Sequence, residues 1–510
     1  MTLHHLIVET AYGPVRGIDD GTAMSWKGLR YGAPPVADLR FRAPEPPPHH
    51  TEVFDADTYG PVCPQPPVPN FPLDLGAAEG EDCLVLNVWA PSGTSAGDNK
   101  PVMVWLHGGA FVLGSSSQPL YSGRRLASSG DVIVVTLNYR VGVFGFLDLS
   151  HIESRRRFDS NVGLRDVIAA LRWVRDNIAG FGGDPSRVTL FGESAGAGLV
   201  TTLLAVPQAA GLFSTAIAQS SPVTSVYDSK RAQRVTEAVL EYLGVAPPET
   251  DRLTQISVPA LIAATSKVFA EIPARNPGML AFVPIIDGEL LHDHPVKLAR
   301  EGKTHPVPLI IGTNKNEAAL FRLMRSPLMP ITPKAITSMF NEIAAEQPDL
   351  QLPTDLQLGT TYRGKGRGID IASDIGFRMP SVWFSEGHSR VAPTYLYRFD
   401  YASPLMKLLL VGAAHATELP YVWGTLGAPK DVTLKLGGTK TAIAVSKRIR
   451  TRWVNFATHA KPIGVPGEPE WTPYHEADRA CLIVDRTDRI VYDADAHIRP
   501  AWGNDALHFR

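Results

Sequence analysis

Seven short apolar runs, at 83–89, 102–106, 132–139, 187–191, 214–220, 307–311 and 395–399, recur along the chain between clusters of turn-forming residues. Their near-continuous apolar character predicts strands covered on both faces. Over 161–178 the apolar positions Val162, Leu164, Val167, Ile168, Leu171, Trp173 and Val174 supply one face of a helix. Residues 195–204, 231–243 and 447–457 are also read as helices, and Thr332-Pro333 as an N-cap and first helical residue. Strand and helix alternate through the first half, which predicts an α/β chain with a mostly parallel central sheet and helices on both faces.

The margins read differently. Residues 6–17 form a hairpin broken at Gly13-Pro14, and 481–485 with 490–493 close the chain as another. The proline-rich stretch 33–67 is expected to be irregular coil packed on the surface, anchored by Trp26, Leu29, Tyr31, Leu39, Phe41 and Phe54. Residues 225–300 look less regular apart from 231–243, and 364–368 reads as flexible loop. No repeat or linker interrupts the pattern, so residues 1–510 are expected to be a single domain.

Composition narrows the function. Apolar residues make up 44% and charged residues 20% of the chain, enough for a large core, and the net charge of −2 points to no nucleic-acid partner and no basic membrane face. No apolar stretch is long enough to span a bilayer, and the first ten residues lack a signal peptide's basic start and long apolar segment. A cytoplasmic location is the expectation. Cys63, Cys83 and Cys481 lack zinc spacing; Cys63 and Cys83 could close a small loop, but a reducing compartment favours their thiol form.

Chemistry gathers at Gly192-Glu193-Ser194-Ala195-Gly196, where a strand-like run breaks into small residues before a helix. A serine at such a corner is held in a strained conformation with its hydroxyl outward, and residues two before and two after must be tiny. Gly192 and Gly196 meet that need, and the Ala195 N–H at the helix start can face an oxyanion. A second glycine stretch, His107-Gly108-Gly109-Ala110-Phe111, follows the strand at 102–106 and leaves backbone N–H groups open to close approach.

A serine nucleophile needs an imidazole, and the imidazole a carboxylate to fix its tautomer, both downstream in chains of this kind. Glu317, just past the strand at 307–311, is a candidate acid, with Asp287 in a plain Asp-Gly turn as competitor. His415, in a loop of small residues, is the candidate base. His388, His459, His475 and His497 sit among polar neighbours and read as solvated, as do His4-His5 and His49-His50; His292-Asp293-His294 reads as exposed.

These segments resemble the type-B carboxylesterase family, which includes para-nitrobenzyl esterases and cholinesterases. The resemblance runs along nearly the whole chain: Gly60-Pro61-Val62-Cys63-Pro64-Gln65, Glu81-Asp82-Cys83-Leu84, His107-Gly108-Gly109-Ala110-Phe111, Asn138-Tyr139-Arg140, Phe181-Gly182-Gly183-Asp184-Pro185 with the Ser194 motif, Gly312-Thr313-Asn314 with Glu317, and His415 through Tyr421. It implies an α/β-hydrolase fold with peripheral helical insertions. By the same resemblance Ser194 is the nucleophile, His415 the base and then acid, Glu317 the orienting acid, and the N–H groups of Gly109, Ala110 and Ala195 the oxyanion hole. Glu193 and Ser220 fall where the family has buried polar groups near the histidine. The chain departs at Gly28-Leu29-Arg30-Tyr31-Gly32, Val167 and Ser221, none of them in the triad. The loop from Cys63 to Cys83 holds Phe71 but no tryptophan, so a quaternary ammonium substrate is not expected.

The expected activity is therefore hydrolysis of small-molecule carboxylic esters through an acyl-enzyme, with no cofactor or metal. Amide, carbamate or lactone bonds are open to the same machinery. A non-catalytic binding role is disfavoured by the intact triad. Acyl and alcohol preference depend on how Phe111, Leu113, Phe321, Met324 and Trp423 line the site; preference and oligomeric state stay open.

Overall fold

The computed structural model describes residues 4–68, 73–152, 158–427, 433–503 and 505–509, so Met1-Thr2-Leu3 and Phe71 lie outside it. Its centre is a sheet of thirteen strands among the described residues. Seven of them run parallel in the spatial order Ile133–Leu137, Lys100–Leu106, Gly183–Glu193, Thr215–Gln219, Leu309–Asn314, Thr394–Phe399 and Ala480–Val484. Antiparallel strands flank both sides, including the predicted hairpins His4–Thr10 with Gly13–Asp19 and Ala480–Val484 with Arg489–Tyr492.

Alternate side chains of the central strands enter two separate cores. Val102, Val104, Leu106, Leu190, Ala216, Ala218, Leu309 and Ile311 pack on one face, and Met103, Trp105, Phe191, Ile217 and Ile310 on the other. Because both faces are covered, the strands are apolar throughout instead of alternating. Trp105 anchors the second face, its ring centroid 4.8 Å from Phe191 and 5.2 Å from Trp423. Trp423, considered above as a site-lining residue, thus packs in this core.

Several elements exceed the expectation. A third N-terminal strand, Ala23–Arg30, was hidden by Gly28, which sits at positive φ inside a bulge between Trp26 and Leu29. The helix Val258–Arg275 was hidden by its two prolines: one lies in the first turn, where no N–H partner is lost, and Pro273 in the last. Arg367–Ser373 is helical, so the loop expected at 364–368 ends inside a helix. The predicted helix at 447–457 is the later part of Thr439–His459. Thr332 caps Pro333–Glu346, its side chain accepting from the Ala335 N–H.

Two histidine expectations fail. His388 is fully buried, its ring nitrogens paired with Thr304 Oγ1 at 2.9 Å and the Val307 carbonyl at 3.0 Å. His294 is buried against the ring of His508, 4.2 Å away between centroids. In each case tertiary packing overrides polar sequence neighbours. Cys63, Cys83 and Cys481 are buried free thiols. Among the described residues no single helix is long and apolar enough to cross a membrane, and no group of three or more His, Cys, Asp or Glu could hold a metal ion.

Candidate active site

The carboxyl ends of the parallel strands bring the site together. Strand Gly183–Glu193 turns at Ser194, with φ 56° and ψ −125°, into helix Ala195–Leu203. A non-glycine residue in this region is strained by roughly 1–3 kcal/mol and persists only where its surroundings dictate it. Here the Ser194 N–H donates to the Gln219 carbonyl at 2.9 Å and its carbonyl accepts from Gly198 at 2.9 Å. A Cβ on Gly196 would lie 2.1 Å from the Leu106 carbonyl oxygen, and one on Gly192 2.6 Å from the Gly196 carbonyl carbon. Neither position admits a side chain.

Strand Lys100–Leu106 delivers the glycine loop to the same place. Gly109, Ala110 and Phe111 all have positive φ, at 122°, 54° and 60°. Gly109 is obligatory, since a Cβ would fall 2.1 Å from the Leu113 carbonyl oxygen, and a Cβ on Gly108 would lie 3.0 Å from that of Ser194. Among the described residues the N–H groups of Gly109, Ala110 and Ala195 donate to no protein acceptor. Behind the loop, His107 is buried and stacked on Tyr139 at 4.4 Å; burial lowers its pKa to about 4, so it stays neutral.

The acid and the imidazole meet across this edge. His415 Nδ1 donates to Glu317 Oε2 at 2.7 Å. The other oxygen of Glu317 accepts from Ser220 Oγ and from the Asn314 N–H, each at 2.6 Å. Phe377 and Phe321 flank the imidazole, with centroids 4.6 and 5.2 Å away. The competitor Asp287 is elsewhere: it accepts from Ser160 Oγ, Asn161 Nδ2 and the backbone of residues 289–291, and serves as a turn.

His415 Nε2 faces Glu193 Oε1 at 3.2 Å. Among the described residues no hydrogen bond joins it to Ser194 Oγ, although both side chains lie at this one edge. Burial by itself pulls the imidazole down, but the carboxylates of Glu193 and Glu317 outweigh it and hold the pKa at about 9. Burial pushes the Glu193 carboxyl up to about 8 against the pull of His415.

Sequence reasoning passed over a third buried acid at the site. Glu418 is fully buried, its carboxylate accepting from Gln219 Nε2 at 3.0 Å and from Asn314 Nδ2. Burial raises its pKa. The signal available was its place three residues after His415. Of the residues considered for substrate contact, Phe321 lies at the imidazole, Phe111 packs against Phe146 at 5.3 Å, and Met324 is exposed.

A parallel sheet with a serine elbow and a glycine loop at its carboxyl edge defines the α/β-hydrolase class. The chain matches the carboxylesterase family over residues 4–497. It is 39% identical to a para-nitrobenzyl esterase of Bacillus subtilis (strain 168), covering 97% of this chain and 98% of that one. It is 33% identical to carboxylesterase 1E of Mus musculus, over 88% and 84%. Among solved structures, a PNB esterase superposes with a TM-score of 0.83 at 36% identity, and a Geobacillus stearothermophilus carboxylesterase with 0.85 at 33%; each covers 98% of this chain and 100% of its own. The chain belongs to the carboxylesterase family and is a serine hydrolase of carboxylic esters.

Proposed function

We propose that Ser194, His415 and Glu317 form the catalytic triad of this esterase, with small-molecule carboxylic esters as substrates. Ser194 Oγ attacks the ester carbonyl while His415 Nε2 takes its proton. The oxyanion is bound by the N–H groups of Gly109, Ala110 and Ala195. Collapse expels the alcohol, which receives the proton from His415, and leaves an acyl-Ser194. Water then attacks the acyl carbon, giving its proton to the same imidazole, and the serine leaves with that proton.

The observation that carries this reading is the 2.7 Å bond from His415 Nδ1 to a Glu317 carboxylate that is itself held by Ser220 and Asn314. It fixes the tautomer that leaves Nε2 free to accept. For Ser194 to be engaged, the imidazole must exchange its Glu193 contact for the serine hydroxyl. Such bonds often tighten only once substrate is bound. Glu193 and Ser220 are assigned supporting roles, Glu193 by its carboxyl 3.2 Å from the imidazole and Ser220 by its bond to Glu317.

The test is Ser194→Ala. Turnover of p-nitrophenyl butyrate should fall by a factor on the order of 10⁶ in kcat with the circular dichroism and melting transition retained. Retained turnover by a folded variant would remove the assignment.

A further inference from the structure

Glu317 stands in a turn, and both flanks of that turn are gripped by one distant segment. The Ala318 N–H, just after Glu317, donates to Ser373 Oγ at 2.9 Å, and the Ser373 hydroxyl donates onward to the Ile369 carbonyl at 2.8 Å. Two residues before Glu317, the Lys315 carbonyl accepts from Arg378 Nη2 at 2.9 Å. The same segment supplies Phe377, whose ring lies 4.6 Å from that of His415. The turn that carries the acid and the ring of the base are thus both touched by one stretch of six residues.

The backbone explains how one stretch reaches both. Residues Asp374–Arg378 form a π-helical turn between helices Arg367–Ser373 and Met379–His388, and the Met379 N–H bonds to the Asp374 carbonyl. In an uninterrupted α-helix Arg378 would point about 140° away from Ser373. The wider turn carries an extra residue and brings Ser373, Phe377 and Arg378 round to one side. Single π turns inside α-helices are frequent at functional sites.

Arg378 is held firmly in its own right. Its side chain is 11% exposed, with Nη1 2.8 Å from Asp374 Oδ1 and Nε 3.9 Å from Asp495 Oδ1. Asp374 accepts in turn from the Tyr362 hydroxyl at 2.5 Å, and Tyr362 from Trp502 Nε1 at 2.5 Å. The guanidinium also lies within the electrostatic reach of Glu317 and of Arg398. A rigid cation therefore pins a carbonyl of the acid's turn, while a buried hydroxyl pins the N–H on its other side.

We propose that Ser373 and Arg378 are positioning residues of the triad, fixing the Glu317 carboxylate against His415 by holding its turn at the Glu317–Ala318 peptide and at the Lys315 carbonyl. The proposal rests on Glu317 and His415 acting as read above. Neither positioning residue touches the reacting atoms. Their effect is on the geometry of the acid–imidazole bond, so it falls on kcat and on the titration of His415. The charged groups facing that imidazole are Glu193, Glu317 and Glu418, with Phe321 and Phe377 on its flanks. Loosening Glu317 removes part of what stabilises the imidazolium, and the neutral, active imidazole then persists to lower pH.

The experiment compares pH–rate profiles on p-nitrophenyl butyrate for the full chain and for Ser373→Ala, Arg378→Leu and Arg378→Lys, with active sites counted by a fluorophosphonate. The expected result for Ser373→Ala and Arg378→Leu is a fall in kcat of about tenfold or more. KM should stay within about twofold, the scale on which a lost positioning contact leaves binding untouched. The acid limb moves to lower pH, and Arg378→Lys recovers part of kcat by restoring one donor. Arg378→Leu leaves buried acids unpaired and can fail to fold; Ser373→Ala removes a single acceptor and keeps the test open. Unchanged kcat and acid limb in folded Ser373→Ala, or a loss that vanishes when rates are normalised to titrated sites, overturns the proposal. Failure of the underlying triad reading has a different signature, namely turnover surviving in Ser194→Ala.

Discussion

At the scale of single residues, the distinctive feature is a carboxylate on each side of one imidazole. Glu317 Oε2 lies 2.7 Å from Nδ1 and Glu193 Oε1 3.2 Å from Nε2. Burial disfavours the imidazolium, but the two charges win, so His415 titrates at about 9. The mechanism needs it neutral, so activity should rise with pH through the neutral range. Removing the Glu193 charge by Glu193→Gln takes away a stabiliser of the imidazolium, and the acid limb of kcat/KM should move to lower pH. A limb that stays in place, or moves up, would show that Glu193 carries no charge near the imidazole in the working enzyme. Sequence made Ser194 legible by its strand-to-helix corner and Glu317 a candidate by its place just past a strand, whereas His415, in a loop of small residues, was singled out by the family resemblance. Sequence could not reveal which group Nε2 faces, because that depends on a side-chain rotation in a crowded site. Glu418 and Arg378 were invisible for a related reason: the groups they bond, Gln219 for Glu418 and the Lys315 carbonyl for Arg378, come from elements 199 and 63 residues away.

At the scale of elements, the two glycine-bearing turns do opposite jobs with the same property. At the elbow, Gly192 and Gly196 let a strand and a helix pass at van der Waals contact while Ser194 takes the strain. In the loop after Leu106, Gly109 makes room for the backbone of Leu113 and turns consecutive N–H groups outward. Gly109→Ala puts a methyl carbon 2.1 Å from the Leu113 carbonyl oxygen, so the loop must shift and its donors with it. The expected cost is on the order of 10²-fold in kcat, the scale of one lost oxyanion donor. Stopped-flow measurement of the acylation step checks it, and an unimpaired acylation rate would free this loop from the role. Strands and helices of steady period were readable, whereas breakers misled: Gly28 marks a bulge within a strand, and the prolines of Val258–Arg275 sit at its ends. The π turn at Asp374–Arg378 left no periodic trace at all, since one extra residue does not disturb the apolar pattern on either side.

At the scale of the whole molecule, the sheet explains why residues at 109, 194, 317 and 415 converge. Parallel strands all point their carboxyl ends to one edge, so whatever follows each strand is delivered there. The register makes this concrete, with Leu106 beside Gly192, Gly192 beside Ala218, and Gln219 beside Gly312. Two aromatic-rich and aliphatic cores clamp the sheet from either side and hold that edge in place. In this mechanism an ester's acyl group passes through the hydroxyl at the elbow. The most direct measurement of this step is acid-quenched peptide mapping by mass spectrometry during turnover of a p-nitrophenyl ester. The acyl mass should appear on the peptide carrying Ser194 and decay at the rate of deacylation. An acyl group on another residue, or steady turnover with no acylated peptide under conditions where deacylation limits the rate, would contradict the account.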